Sequence, residues 1–350
     1  MDSKFWEDVN EGDRLPELEF GPMTVKSFFI MYAGTRDPNP QHHNTRWNRE
    51  NGSRDMFATT PWHQALFARF VTDWTGPESD FRATNLRMNV QVCPGDKLLL
   101  SGQVVKKYQE GDDYRVDVEM ASASELGTHS FGSATMAMPS RDSGEVKVLK
   151  NVEKLRVEPH PEMPEWAESN LGNVSPRRGP QTYPISETQV MYWCDMVHCA
   201  NPLYTDTEYA RNSRHKGLIC PPPSLMVWQF GHPGHSTDQD NPDMFWPPVE
   251  ETPAQAAEAA AQPPDGNPTL GLMASSAHEY GVPLRPGDQI FSESEFVNSS
   301  PLKKTHLGWG YFMTNMATTY NQRDEIVATT LNTGFRYGVS EGDAERILKK

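Results

Sequence analysis

The chain has 350 residues, 36% of them hydrophobic, and a formal net charge of −15. That length suits two domains of ordinary size, and the acidic balance argues against a nucleic-acid partner, which would need a basic face. No apolar run approaches the roughly 18 residues that span a bilayer, and the N-terminal "MDSKFWEDVNEGDRL" has no signal-peptide core, so a soluble cytoplasmic protein with no membrane partner is expected.

Thr24 opens the apolar stretch "TVKSFFIMYAG", and "RDPNPQHHN" follows at residues 36–44, a stretch too rich in Pro, Asn and Asp to be anything but a turn. Pro61 heads "PWHQALFARFVTDW", where Trp62, Leu66, Phe70 and Trp74 recur four apart. That spacing predicts a helix, and proline suits its first turn. After Pro94-Gly95-Asp96 come three runs split by Gly and Asp turns. Among them "YRVDVEM" alternates apolar and polar residues as a half-buried strand does.

The plan then repeats. Asn201-Pro202 lies 162 residues beyond Asn39-Pro40, and the same offset sets Ser186 over Thr24 and Pro223 over Pro61. A second PGD turn, Pro286-Gly287-Asp288, lies 192 residues beyond the first, so the second copy carries about 30 extra residues. They fall near 236–268, a segment rich in Pro, Ala and acids with one apolar knot at Met244-Phe245-Trp246. We place one domain at 1–150 and a second at 151–350, with this insertion near 236–268. The cysteines, Cys93, Cys194, Cys199 and Cys220, form no CxxC pair and no metal-ligand spacing. Reduced thiols and no metal site are expected.

The copies differ in three places. Cys199 stands opposite Asp37, Tyr204 opposite His42, and Pro222 opposite Thr60. Asp37 and His42 have ordinary readings as an Asx-turn residue and a surface histidine. Together they are also an acid and an imidazole that only one copy owns. Thr60 precedes Pro61 at a helix start, where N–H groups point outward and stabilise an anion. Pro222 has no N–H to offer.

"RDPNPQHHN" resembles the D-x-N-P-x-H motif of MaoC-like (R)-specific enoyl-CoA hydratases. The second half, through "NPLYTDTEYAR", "HEYGVPLRPGDQI" and "RDEIVATTLNTGFRYG", is similar to the FAS1-like dehydratase domain that accompanies such a unit in two-unit members. The resemblance implies an α+β tandem (double) hot-dog fold, each half a curved antiparallel sheet wrapped around a central helix, with the active site in the first half and a catalytically silent second half. It implies that Asp37 and His42 hold and activate a water. It also implies that the Thr60 backbone N–H holds the thioester oxygen, at a position where the family usually has glycine. "FVTDWTGP" is similar to members acting on steroid side-chain CoA esters, in which an idle half makes space for a bulky acyl group.

The activity implied is that of a hydro-lyase, hydrating trans-2-enoyl-CoA to (R)-3-hydroxyacyl-CoA or running the reverse. The partners implied are an acyl-CoA substrate and a second copy of the chain, as a dimer of double hot dogs. No cofactor is implied beyond the coenzyme A that the substrate carries. Arg36, Arg46, Arg54, Arg82, Arg87 and the Lys106-Lys107 pair are available for its phosphates. Two other readings stay open on the same fold: an acyl-CoA thioesterase and a non-catalytic acyl-CoA-binding subunit.

Overall fold

The computed structural model describes residues 3–152, 154–180, 183–229, 270–305 and 307–348. The insertion expected near 236–268, with its knot at Met244-Phe245-Trp246, lies outside the described residues.

The first repeat contains helices α1 (Val25–Thr35), α2 (Thr45–Glu50) and α3 (Thr60–Thr75). Its strands are β1 (Leu18–Phe20), β2 (Asp80–Met88), β3 (Leu98–Glu110), β4 (Asp113–Ser124) and β5 (Gly127–Ala137). The second repeat carries α4 (Glu165–Glu168), α5 (Glu187–Asp195), α6 (Pro202–Thr205), α7 (Thr207–Asn212) and α8 (Leu225–Gln229). It continues with β6 (Leu270–Tyr280), β7 (Ile290–Ser299), β8 (Lys303–Thr305), β9 (Gly308–Asn321), β10 (Ile326–Val339) and α9 (Glu341–Leu348).

The repeat read from the NP and PGD turns is present atom for atom. Thr24 and Ser186 both start their helices with a capping box. Arg36 and His198, 162 residues apart, are both left-handed with φ 56°. The Asn39 side chain accepts the Gln41 N–H at 3.1 Å and the Asn201 side chain accepts the Leu203 N–H at 3.0 Å. In both PGD turns the glycine N–H returns to the residue before the first helix cap, Gly95 to Met23 O and Gly287 to Ile185 O.

The Thr59 hydroxyl caps α3 by accepting the Trp62 N–H at 3.2 Å. The helix then runs almost wholly buried, with Trp62, Leu66, Phe70 and Val71 against Leu98, Leu100, Val116, Val118 and Met136 on the inner face of the sheet. Burying each such side chain contributes roughly 1.5–3 kcal/mol. The sheet comes so close that a Cβ on Gly102 would lie 2.9 Å from the Phe70 ring.

All strands belong to one antiparallel sheet in the order β1-β3-β4-β5-β2-β6-β10-β9-β7, with β8 on β9. The two repeats are therefore joined through β2 and β6. In that pair Thr84 faces His278, Asn85 faces Ala277 and Leu86 faces Ser276. The repeat offset of 192 maps each pair onto another, with Asn85 and Ala277 exchanged, so a pseudo-twofold axis passes between them. On the same axis α1 packs on α5. Gly34 permits that approach, since a Cβ there would lie 2.8 Å from Tyr192 O. This is the double hot-dog arrangement implied by the sequence resemblance.

Gly34→Val should lower stability by about 1–3 kcal/mol, because the atom in the way is backbone and cannot step aside. Urea unfolding at unchanged slope checks it, with Ala33→Val, on an exposed position, as the neutral control.

Candidate active site

The D-x-N-P-x-H stretch is built by three successive caps. α1 ends at Arg36, whose left-handed conformation turns the chain so that Asp37 points inward. Asp37 Oδ1 then accepts the Asn39 N–H at 3.1 Å. Asn39 in turn caps a short 3-10 turn, Pro40–His42. The Asx-turn reading of Asp37 is therefore correct, and it uses one carboxylate oxygen only.

The other oxygen, Oδ2, lies 3.5 Å from His42 Nε2. His42 Nδ1 lies 2.8 Å from the Phe57 carbonyl, and since a carbonyl only accepts, Nδ1 carries the hydrogen. Nε2 then presents a lone pair beside a carboxylate. Two acceptors at that distance do not bond each other, but one water between them can donate to both. His42 is not a surface residue: it is 8% exposed and Asp37 9%. Burial holds the imidazole pKa below its ordinary value, and the Asp37 charge and the Phe57 carbonyl only partly oppose this. His42 is thus a neutral base at pH 7.

Thr60 is the first residue of α3, so no carbonyl within the helix accepts its N–H. Its hydroxyl contacts Met88 Sδ at 3.3 Å. The segment leading to it is tied to the His42 turn, because the Phe57 N–H donates to Gln41 O at 3.1 Å. Helix start and imidazole thus share one short stretch of backbone.

The second repeat has the same frame and other side chains. The Asn201 N–H is directed to the Cys199 sulfur, as the Asn39 N–H is to Asp37. Tyr204, at the His42 position, is buried. Beside it lies a charged cluster with no parallel in the first repeat. Arg214 bonds Asp80 at 2.7 Å and Glu78 at 3.1 Å, and His215 Nε2 lies 3.2 Å from Asp80. Burial alone would raise the Asp80 pKa, but Arg214 and His215 reverse this and hold it well below the usual carboxylate range. Pro222, His215, Cys220 and Tyr280 line a cavity of about 30 Å³ at the counterpart of the Thr60–Met88 contact, enough for about one water.

Of the basic residues expected near coenzyme A, several are committed elsewhere. Arg82 is buried against Asp113, Arg54 grips Asp96, and Arg46 pairs with Glu50. Lys106 and Lys107 lie over the rings of Tyr108 and Trp6. Sequence reading alone misses two polar residues near the start of α3. His63 lies 3.2 Å from Ser130 Oγ, burial pushing its pKa down to about 3, and Gln64 reaches His278 of the second repeat at 2.8 Å. Comparing the copies position by position would have flagged both, since Leu225 and Met226 stand opposite them. Among the described residues no group of three His, Cys, Asp or Glu side chains is placed to hold a metal ion. No described helix is long and apolar enough to cross a membrane.

Comparison with known proteins bears on the family and the fold. Residues 172–330 match the family model "FAS1-like, dehydratase domain region". The chain is 32% identical over 134 residues to the 3-oxo-4,17-pregnadiene-20-carboxyl-CoA hydratase beta subunit of Mycobacterium tuberculosis, covering 97% of that subunit and 38% of this chain. It is 32% identical over 164 residues to a probable enoyl-CoA hydratase alpha subunit of Thermomonospora curvata, covering 47% of each. The match spans only about half the length of this alpha subunit, and 42% of the related Mycobacterium tuberculosis alpha subunit. A putative MaoC domain dehydratase from Chloroflexus aurantiacus superposes with TM-score 0.63 over 95% of this chain and 97% of its own, at 12% identity. A Mycobacterium tuberculosis protein described as having a double hotdog fold superposes with TM-score 0.60 over 95% and 98%. At such identities these two establish the fold alone. The chain belongs to the MaoC-like enoyl-CoA hydratase and dehydratase family, in its double hot-dog form.

Two outcomes follow from the charges. His42 should titrate below 6.5, its ordinary value. Asp37→Asn, which removes the opposing charge, should lower it further; ¹⁵N NMR of the imidazole reads both. Asp80, with its depressed pKa, contributes stability that is present above about pH 4 and lost as pH falls towards its folded value. Asp80→Asn should cost about 1–3 kcal/mol near neutral pH, because the buried Arg214 loses its nearer carboxylate and keeps Glu78. Denaturant titrations at pH 7 and pH 3 should show that loss shrinking in acid.

Proposed function

We propose that this chain hydrates trans-2-enoyl-CoA to (R)-3-hydroxyacyl-CoA, or runs the reverse dehydration, as a hydro-lyase acting in the cytoplasm on acyl-CoA. The observation that carries this reading is the facing pair of acceptors, Asp37 Oδ2 and His42 Nε2, 3.5 Å apart in a buried turn. Such a pair suits one water molecule.

In the reading, that water donates one hydrogen to each group. As its oxygen adds to Cβ of the enoyl thioester, a proton passes to His42 Nε2. The imidazolium formed is held by the Asp37 carboxylate beside it. The electron pair of the Cα–Cβ double bond moves towards the thioester oxygen, where the Thr60 N–H and the positive end of α3 receive the enolate charge. Return of the proton from His42 to Cα completes the addition and restores the neutral base. General acid/base groups of this kind contribute roughly 10²- to 10⁴-fold, and one fixed oxyanion donor about 10²- to 10³-fold.

The relative named for a ring-bearing CoA ester supports testing bulky acyl groups alongside short ones. One chain already pairs its two hot dogs through β2 and β6; the further pairing with a second copy is proposed on the family resemblance alone.

Loss of enoyl absorbance is measured on crotonyl-, octenoyl-, decenoyl- and steroid side-chain enoyl-CoA, with free thiol followed in parallel. Turnover without thiol release is expected. Thiol release would mark a thioesterase, and binding without either signal a non-catalytic subunit. Asp37→Asn and His42→Ala should each lower kcat at least about 10²-fold, and the double variant should lose little more. Near-wild-type turnover in both single variants would remove the assignment.

A further inference from the structure

Asn48 lies in α2, six residues beyond His42, and is fully buried. The two N–H groups of its Nδ2 donate to Asn44 O at 2.8 Å and Gln41 O at 2.9 Å, with Pro40 O a third, longer neighbour at 3.4 Å, while its Oδ1 is buried without a partner among the described residues. Three acceptors around one atom identify it as the amide nitrogen and fix the orientation of the side chain. Two of those carbonyls belong to the 3-10 turn that carries His42. Gln41 O also accepts the Phe57 N–H, and Phe57 O holds His42 Nδ1. Asn48, the turn, Phe57 and the imidazole therefore form one closed hydrogen-bonded unit.

The second repeat supplies the control. The counterpart of Asn48, 162 residues on, is Ala210. It is equally buried. Its carbonyl accepts the Gly217 N–H at 2.9 Å, as the Asn48 carbonyl accepts the Ser53 N–H at 2.9 Å. The Asn201-Pro202 turn beside it keeps the Asn-Pro cap and runs on as the short helix α6, its backbone held by the Thr205 hydroxyl on Asn201 O at 3.0 Å and not by an amide at position 210. The turn does not need the amide in order to form. Only the repeat that carries His42 has it.

We propose that Asn48 is a positioning residue for the imidazole, clamping the Pro40–His42 turn so that Nε2 stays facing Asp37 and shielded from bulk water. The proposal rests on the hydratase reading for its effect on turnover, but its effect on the ring is independent of it. The groups that face His42 are Asp37 at 3.5 Å, the Phe57 carbonyl and ring, His43 next in sequence, and His63 from α3. None of them is altered by a substitution at 48.

The test compares wild type, Asn48→Ala and Asn48→Ser, with His42→Ala to assign the resonance. The imidazole titration is followed by ¹⁵N NMR of histidine-labelled full-length protein, and kinetics are measured with crotonyl-CoA and decenoyl-CoA. Loosening the turn lets water reach the ring, so the His42 midpoint should move up towards its ordinary value in Asn48→Ala. kcat should fall at least about 10-fold with KM within about 3-fold, as for lost alignment rather than lost binding. Asn48→Ser, which keeps one donor, should fall between, and it carries the same readings should the alanine variant fold poorly. An unmoved midpoint in a folded variant, or kcat unchanged within about twofold, would overturn the proposal. A wild type inactive on every enoyl-CoA would overturn the hydratase reading, while the NMR midpoint would still decide the role of Asn48.

Discussion

The pairing of β2 with β6 is the constraint on which everything else depends. It converts two small curved sheets into one and sets Asn85 against Ala277 on a pseudo-twofold axis. Once that register is set, α1 must meet α5 and α3 must lie against the second repeat. The Gln64–His278 contact and the bond between Arg69 and the Val197 carbonyl both follow from it. A slip of one residue would turn Leu86 and His278 to the opposite face of the sheet.

Within that symmetric frame the carboxylate–imidazole pair stands on one side, at Asp37 and His42. Both repeats use an Asn-Pro cap, and both place an acceptor where the asparagine N–H needs one. In the first repeat the acceptor is a carboxylate with a second oxygen to spare. In the second it is a thiol with nothing spare. Asp37 thus serves the backbone with one oxygen and faces His42 with the other. The second repeat carries the ion pairs of Arg214 and His215 with Asp80 close to Tyr204 instead.

Much of this was legible in the sequence because it rests on turns. Asn39-Pro40, Asn201-Pro202 and the two PGD stretches are local devices, and a local device reads the same wherever it lies. Helix α3 was equally plain, since Trp62, Leu66, Phe70 and Trp74 keep one face at helical spacing. What stayed hidden is non-local. β2, "DFRATNLRM", mixes charge into a strand that is covered on both edges, so it shows no clean alternation. Asp80 and Arg214 look like solvated charges until folding brings them together across 134 positions of chain, and Arg82 until it meets Asp113, 31 positions away. Asn48 reads as an ordinary helix residue because what distinguishes it, three carbonyls around one nitrogen, exists only once the turn has closed over it.

The order in which the chain is made gives the central pairing one more meaning. β2 is synthesised nearly two hundred residues before the strand that covers it. Until β6 emerges, Ala83–Arg87 is an open strand edge with its donors and acceptors turned to water, the kind of edge that recruits a neighbouring chain. The axis through Asn85 also makes that edge self-complementary: a first repeat cut away from the second could lay its own β2 antiparallel against the β2 of another copy. The second repeat is therefore a built-in partner, occupying the edge at which nascent chains would otherwise join.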